Sequence, residues 1–389
     1  MGGNYQFWLT DDAGRVLVPL SNYCFFSYTR TTVGYGIIEF GMPYQDYIKL
    51  MPTIFQVDWR IDVWRSPGDE YQMRREASFL LRKFSIYERV TDGLQVIVFY
   101  GRSPIDILRR QSLHDRLVAV NQPVDDIMKG LVRYYYETGQ QYDNTAPVVW
   151  RGGAPIYTGE FFAEGDVSLG PLTSRDVIGS TVLDELQELK AISISKNAED
   201  PTNQKIYFDV LESDGAVEYG FGYVFKTYAG LRGVDRTEGL VFSVKNGNIK
   251  EPVYYESYLD ECTVAWVDFS GGAIVSRSKL ESENVSGSRW NYSKILASGR
   301  GGYSSADNSD AEALLNQYAA VKKLNCVFVD SPGGPNQPRS LYGLEWDLGD
   351  LLPVEFLGRI TNCEVQIIYV AVNDQGVETL TGRNEVGGG

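Results

Sequence analysis

A chain of 389 residues with a formal charge of −15 has too little basic surface to neutralise a run of phosphates, which argues against tight nucleic-acid binding. At about 150 residues per domain the length allows two or three cores, and 43% hydrophobic with 22% charged residues is ordinary globular composition. No run approaches the roughly 18–20 apolar residues of a membrane helix; the most apolar, Val365–Val372, already contains Gln366.

Residues 1–102 read as β-structure. Phe7–Thr10, Val16–Pro19, Tyr23–Arg30 and Ile37–Phe40 are short extended runs, and Asp11-Asp12-Ala13-Gly14 is a hairpin turn between the first two. Val57–Arg65 alternates apolar and charged residues, Ser78–Tyr87 follows, and Thr91-Asp92-Gly93 turns the chain into Leu94–Arg102. Ser103-Pro104-Ile105-Asp106 is a helix start, with a capping Ser, a first-turn Pro and an acidic residue at the positive helix end. Ile105, Leu108, Leu113 and Leu117 give that helix its apolar spacing.

A second helix is predicted over Val124–Thr138, ended by Gly139, and a third over Ser174–Ala191 with Val177, Ile178, Val182, Leu186 and Leu189. Between them, residues 140–170 read as loop. A polar turn at Ala198–Asn203, a strand Ile206–Leu211, a Ser-Asp-Gly turn and a strand Tyr219–Tyr228 complete a small α+β module. Residues 236–272 return to strands, and 273–305 mix extended pieces with Ser/Gly-rich linkers. Asp310–Leu324 predicts a fourth helix, and Ser331–Ser340 a surface loop. The closing Val-Gly-Gly-Gly is expected to be a disordered tail.

The pattern of residues 57–102 returns in altered form at 344–383. Leu344–Asp350, Leu351–Leu357 and Cys363–Val372 lead through Asn373-Asp374-Gln375-Gly376 to Val377–Arg383, so both copies end on a strand with a Gly-Arg exit. Antiparallel hairpins with one buried face are expected in each. The fold class is therefore a β-rich α+β multidomain chain. Two related β-barrel domains (1–102 and 236–389, the latter with an inserted helix at 309–324) flank a helical and loop insertion (103–172) and a small α+β domain (173–235). Two such barrels suit a part that builds a ring better than an enzyme with one pocket.

Chemistry is sparse. His114 is the one histidine, beside Asp115, and reads as a solvated polar residue; acid–base and zinc chemistry usually lean on several. Esterase, metallopeptidase and nucleotide-hydrolase motifs are absent from the sequence. The glycine clusters Gly34-Tyr35-Gly36, Gly220-Phe221-Gly222, Gly299–Gly302 and Gly333-Gly334 do not open a helix after a strand, so they read as turns and kinks. Asp307–Asp310 lacks calcium-loop spacing, and Asp310 is better placed to cap a helix.

Cys24, Cys262, Cys326 and Cys363 lie far apart, each in or beside an apolar run, and read as small core residues rather than a disulfide framework. The pairs Arg109-Arg110 and Arg74-Arg75 read as surface salt-bridge formers. Asn284-Val285-Ser286 and Asn291-Tyr292-Ser293 match a glycosylation pattern, but no secretion signal accompanies them. Gln6 stands near where a myristoylated Met-Gly start needs a small hydroxyl residue. No catalytic, cofactor-binding or metal residue is singled out, and no cofactor is expected.

Several segments resemble the baseplate-hub, or minor tail, proteins of long-tailed bacteriophages, especially the ReqiPepy-type group. They are Val57–Arg65 (VDWRIDVWR), Phe79–Phe84 (FLLRKF), Ser103–Arg110 (SPIDILRR), Asp125–Lys129 (DDIMK) and Phe225–Thr237 (FKTYAGLRGVDRT). Val241–Ile249 (VFSVKNGNI), Trp290–Arg300 (WNYSKILASGR) and Leu344–Asp350 (LEWDLGD) continue the series in order over most of the chain. The Tyr-rich Arg133–Tyr142 stretch and the Ala198–Asn203 turn depart from it.

The resemblance implies a homotrimer whose six barrels surround one channel, adapting a sixfold tail tube to a threefold tip. The partners implied are the tail tube or distal tail protein, the tape-measure protein, and tip-fibre or receptor-binding proteins. DNA would pass without specific binding, and no membrane insertion is implied. Such a part belongs to the virion tail tip and is assembled in the host cytoplasm. The competing readings are a glycosidase-type cell-wall hydrolase, which needs only two facing carboxylates, and a glycan-binding adhesin. The 26 tyrosines and 7 tryptophans motivate the adhesin. The chain ends about where the second barrel is expected to end, leaving no room for an appended hydrolase.

Overall fold

The computed structural model carries 23 strands and four α-helices among its described residues, so β-structure dominates. The described residues are all except 1–3, 12–14, 52–55, 57, 69, 114–116, 138–147, 150–160, 166, 178, 200–201, 213–221, 270–275, 282–291, 299–314, 316–317, 319 and 385–389. The predicted tail, the Ser-Asp-Gly turn and most of the 140–170 loop fall outside them.

The first strands are β1 Asn4–Thr10, β2 Val16–Pro19, β3 Phe25–Thr31, β4 Ile37–Pro43, β5 Arg60–Ser66, β6 Arg74–Glu88, β7 Gln95–Arg102 and β8 Leu117–Pro123. Next come β9 Val148–Val149, β10 Phe161–Ala163, β11 Leu172–Val177, β12 Ile206–Glu212, β13 Tyr223–Ala229, β14 Phe242–Ser243 and β15 Ile249–Ser257. The last are β16 Val264–Phe269, β17 Ser276–Glu281, β18 Ser293–Ser298, β19 Val321–Val329, β20 Leu351–Phe356, β21 Arg359–Glu364, β22 Ile367–Val372 and β23 Glu378–Arg383. The helices are α1 Tyr44–Leu50, α2 Asp106–Arg109, α3 Val124–Val132 and α4 Val182–Glu199.

Eleven strands form one sheet in the order β15-β19-β23-β22-β3-β4-β7-β6-β5-β1-β2. Its organisation is a repeat. In β3-β4-β7-β6 and in β15-β19-β23-β22, the first, second, fourth and third strands of each run stand side by side. The Gly-Arg exits occupy the same place in both. Arg102 and Gly101 face Ile37 and Ile38 on one side and Leu80 and Leu81 on the other. Arg383 and Gly382 face Val327 and Phe328, and Ile367 and Ile368.

Sterics explain why both exits need glycine. A Cβ at Gly101 would lie 2.9 Å from Ile38 Cγ2 and 3.0 Å from the Leu80 carbonyl oxygen, and one at Gly382 would lie 2.5 Å from Trp346 Cζ3. The fully buried Trp346 packs on Phe328 and Tyr342, with ring centroids 6.0 and 5.1 Å apart.

Alternation in β5 is real, but both of its faces are covered. Ile61 and Val63 are buried on one face. On the other, Asp62 is buried and accepts from Thr10 Oγ1 at 2.8 Å and from Ser78, while Arg60 lies over the Tyr223 ring. A second core joins α2, α3 and α4 to β8 and β11–β13 through Leu108, Val124, Met128, Val132, Val182, Leu186, Leu189, Ile206 and Phe225.

The remaining sheets are three-stranded: β10-β13-β12, β11-β8-β9, β14-β20-β21 and β17-β16-β18. Two compact units result, one of residues 1–252 and 326–389 and one of 253–325. In the second, β16 pairs antiparallel with β17 and parallel with β18.

Several predicted elements differ. The helix expected from Ser103 is the single turn α2, and Leu117 starts strand β8, which pairs with β11. The second helix ends as α at Val132 and continues as a π-helical turn, Arg133–Glu137. Ser174–Val177, expected in the third helix, lies in β11. Gly179, at φ +87°, breaks the strand, and Thr181 Oγ1 then accepts from the Asp184 N–H, capping α4.

Val321–Leu324 belongs to β19, not to a helix, and residues 310–314, 316–317 and 319 lie outside the described set. Leu344–Asp350 forms turns, so the repeat does not extend back to a counterpart of β5. Cys363–Val372 is split between β21 and β22. Helix α1 was not expected. Pro43 stands at its N-cap position, and Asp46 and Lys49 complement its ends, while Tyr47 packs on Phe99 at 5.0 Å.

Gly382→Ala should cost about 1–3 kcal/mol through overpacking against Trp346, and Gly101→Ala a similar amount. Gly334→Ala, whose Cβ would meet nothing closer than 3.8 Å, should be near neutral. Urea unfolding of the three variants checks this.

Candidate assembly interface

The two four-strand runs meet where β22 pairs antiparallel with β3, from Ile367 opposite Thr31 to Val372 opposite Phe26. The ladder continues at Thr32, whose N–H donates to the Gln366 carbonyl at 2.9 Å. Tyr28 and Val370, opposite each other, are both buried, so cross-strand packing adds to the backbone bonds. The last strand pair of the chain thus completes the edge that β3 would otherwise expose.

Beside this junction, a partly buried polar network ties β3 and β6 to the 342–347 turns. Tyr28 and Tyr342 both donate to Glu76 Oε1 at 2.7 Å. Arg30 donates to the Tyr342 hydroxyl and, at 2.9 Å, to Asp347 Oδ1; Arg74 reaches Asp347 Oδ2 at 2.9 Å. Arg65 donates to the Tyr342 carbonyl at 3.1 Å and lies 4.9 Å from that residue's ring centroid. Burial, with Glu76 adding to it against the opposing Arg30, pushes the Tyr342 phenol far up, so it stays a proton donor.

The carboxyl of Asp347 is raised by burial, but Arg30 and Arg74 outweigh that and hold it below the ordinary carboxylate range. Strands β3 and β6 are therefore tied to the 342–347 turns by charge as well as by packing.

At its other end the first run lacks such a neighbour. Strand β6 is 15 residues long. Its first half pairs with β5, through Arg60 opposite Leu80, and its second half pairs with β7, from Leu80 to Glu88. Beside Ser85–Glu88, no strand among the described residues occupies the side away from β7. Ile86 and Tyr87 there are each 42% exposed. By register, Ser85 and Ile86 correspond to Ala371 and Val372 of β22, which have β3 beside them. The sheet order ends at the opposite side with β15, where Lys250 and Glu251 are exposed.

The residues weighed from sequence fall elsewhere. Arg109 and Arg110, expected in surface salt bridges, both pair with the buried Asp106, and Arg110 also with the exposed Asp58. Arg74 joins the network above, while Arg75 donates to the Glu212 carbonyl at 3.5 Å. Cys262, Cys326 and Cys363 are buried thiols outside any disulfide, and Cys24 is half-buried. His114, Asp115, Gly299–Gly302, Asp307–Asp310 and Asn284–Ser286 lie outside the described residues. Among the described residues, no group of three or more His, Cys, Asp or Glu could hold a metal ion, and no helix is long and apolar enough to cross a membrane. Sequence reasoning missed Tyr342 and Glu76: Glu76 follows Arg74-Arg75 and Tyr342 precedes Gly343, and neither setting signals the contact between them.

Known structures share this architecture over nearly the whole chain. The 43 kDa tail protein of prophage MuSo2 from Shewanella oneidensis aligns with a TM-score of 0.53 at 11% identity, covering 97% of each chain. A tail protein from Neisseria meningitidis MC58 aligns at 0.54 and 11% identity, covering 98% of this chain and 96% of that one. The fold is that of phage tail proteins. A chain of the Francisella PdpA–VgrG complex also aligns, at 0.53 and 8% identity, over 98% of this chain and 58% of its own. No family model and no curated protein matches the sequence.

Because its folded pKa is depressed, Asp347 contributes stability above its unfolded value of about 3.9, and loses it as pH falls through the lower folded value. Asp347→Asn should therefore cost about 1.5–3 kcal/mol at pH 7. Its deficit relative to the parent should shrink on acidification below that range, in urea titrations run across the pH series.

Proposed function

We propose that the chain is the structural hub of a phage tail tip, a homotrimer that adapts a sixfold tail tube to a threefold tip. One observation carries this reading: the chain holds two copies of one four-strand run, joined head to tail through β22 and β3. A head-to-tail contact generates a ring when its rotation closes. In the proposed ring, the open half of β6 takes the edge of the β15 run of a neighbouring copy, as β22 takes β3 within one chain. Three copies then place six runs, each the wall of a barrel, around one axis. This also disposes of edges that would otherwise template aggregation.

In this reading, segments 1–102 and 236–389 contribute the two barrels, and helices α2, α3 and α4 stand outside the ring. The channel passes DNA and the tape-measure protein. The charge of −15 favours that role, since like charge repels the phosphate backbone and prevents sticking. The tail tube or distal tail protein binds on one side of the ring and tip-fibre or receptor-binding proteins on the other. The part acts mechanically and not as an enzyme. The fold shared with tail proteins over 97–98% of this chain supports the assignment to a virion tail.

Light scattering on the purified full chain should give three times the monomer mass. Ile86→Lys, on the open half of β6, should shift that mass to the monomer while leaving the chain folded, with an unchanged far-UV circular-dichroism spectrum. A wild-type chain that stays monomeric at every concentration contradicts the reading.

A further inference from the structure

A groove of about 440 Å³ opens at the end of β1 and β5, a volume within the range that small ligands occupy. Among the described residues its lining is unusual for an acidic chain, because none of them is charged. Tyr5, Tyr23, Tyr71 and Met73 line it together with Asn4 and Gln6, whose side chains are amides, and the buried Ser66 lies at its base.

The charged groups nearby stand behind the rings and anchor them. The Tyr5 hydroxyl donates to Glu378 and accepts from Arg65 Nε at 3.0 Å, and the Tyr71 hydroxyl accepts from Arg339 Nη1 at 2.9 Å. Tyr5 packs on Phe26 with centroids 4.9 Å apart, and Tyr23 packs on Phe7 and Phe26 at 5.4 and 5.2 Å. Ser66 Oγ donates to the Tyr71 carbonyl at 2.7 Å, holding that loop to the strand. The platform is thus built in advance of any ligand, which removes the ordering cost from binding.

We propose that this groove is a binding site for neutral saccharide. Pyranose rings have apolar C–H faces that pack on aromatic rings, and their hydroxyls both donate and accept hydrogen bonds. Amide side chains match the second property because each carries both donors and an acceptor. Among the described residues the lining offers no cation to pair with a sialylated or phosphorylated sugar, whose anion would be desolvated without a partner. A peptide strand would instead need backbone pairing, for which β1 has β5 on one side and β2 along Trp8–Thr10 only. That occupant would be insensitive to the amide side chain of Gln6. The site goes beyond the hub reading and does not depend on trimer formation.

Saturation-transfer NMR and calorimetry on the full chain test it, with cellotriose and chitotriose as neutral probes and 3′-sialyllactose as the charged one. Transfer to the ring C–H protons of at least one neutral trisaccharide is expected, and none to the sialylated sugar. Tyr23→Ala should weaken binding about tenfold, a factor worth 1.4 kcal/mol. The exposed Gln6→Ala, which leaves the aromatic packing intact, should weaken it several-fold, and Tyr369→Ala on β22 should not change it. Absence of transfer to both neutral sugars overturns the proposal, as does binding that survives both groove variants. So does a loss of assembly mass in Gln6→Ala without sugar binding, which would assign the groove to a second copy of the chain.

Discussion

Every backbone N–H and C=O in a sheet needs a partner, and a strand at an edge leaves half of its own without one. That constraint organises this chain. Residues near the two ends of the sequence meet because β22 supplies the neighbour that β3 lacks, turning two four-strand runs into one continuous surface. The same arithmetic leaves the second half of β6 beside no described strand. In the proposed assembly, that open half continues the sheet into another copy of the chain.

The junction is specified by more than pairing. A register slip by one residue would turn Val370 and Tyr28 to the wrong face. Glu76 takes hydrogen bonds from two tyrosines, one on β3 and one in the 342–347 turns. Arg30 and Arg74 converge on Asp347 from different strands. A partly buried ionic network of this kind contributes less to net stability than to a unique arrangement, since each buried member left unpaired is costly. Here it ties residues more than 260 positions apart. Glycine plays the complementary part: Gly101 and Gly382 let the central strand of each run approach its neighbours closely enough for Phe79, Ile38 and Trp346 to close over it.

Much of the sheet was legible in the sequence because its signals are local. Alternation and Asp/Gly turns placed the hairpins β6–β7 and β22–β23, and the Gly-Arg exits matched in register once paired. The helical region was less legible. Leu117–Pro123 and Ser174–Val177 carry residues that suit either period, and β8–β11 pairing decided them as strands. The Gly179-Ser180-Thr181 punctuation before α4 was visible and points to the correct helix start. Both the pairing of β22 with β3 and the Tyr342–Glu76–Arg30 network connect distant positions, and nothing in one sequence marks such contacts in advance. The open half of β6 was equally hidden, because exposure depends on which strand ends beside it.

The account turns on whether the open half of β6 gains a strand when copies meet. Hydrogen–deuterium exchange on the full chain, followed from dilute to concentrated solution, reads this directly at Ser85–Glu88. Protection there should rise with assembly until it matches that of Ile367–Val372 in β22, which holds its neighbour within one chain at every concentration. Rapid exchange at Ser85–Glu88 in the fully assembled state would contradict the reuse of the junction between copies.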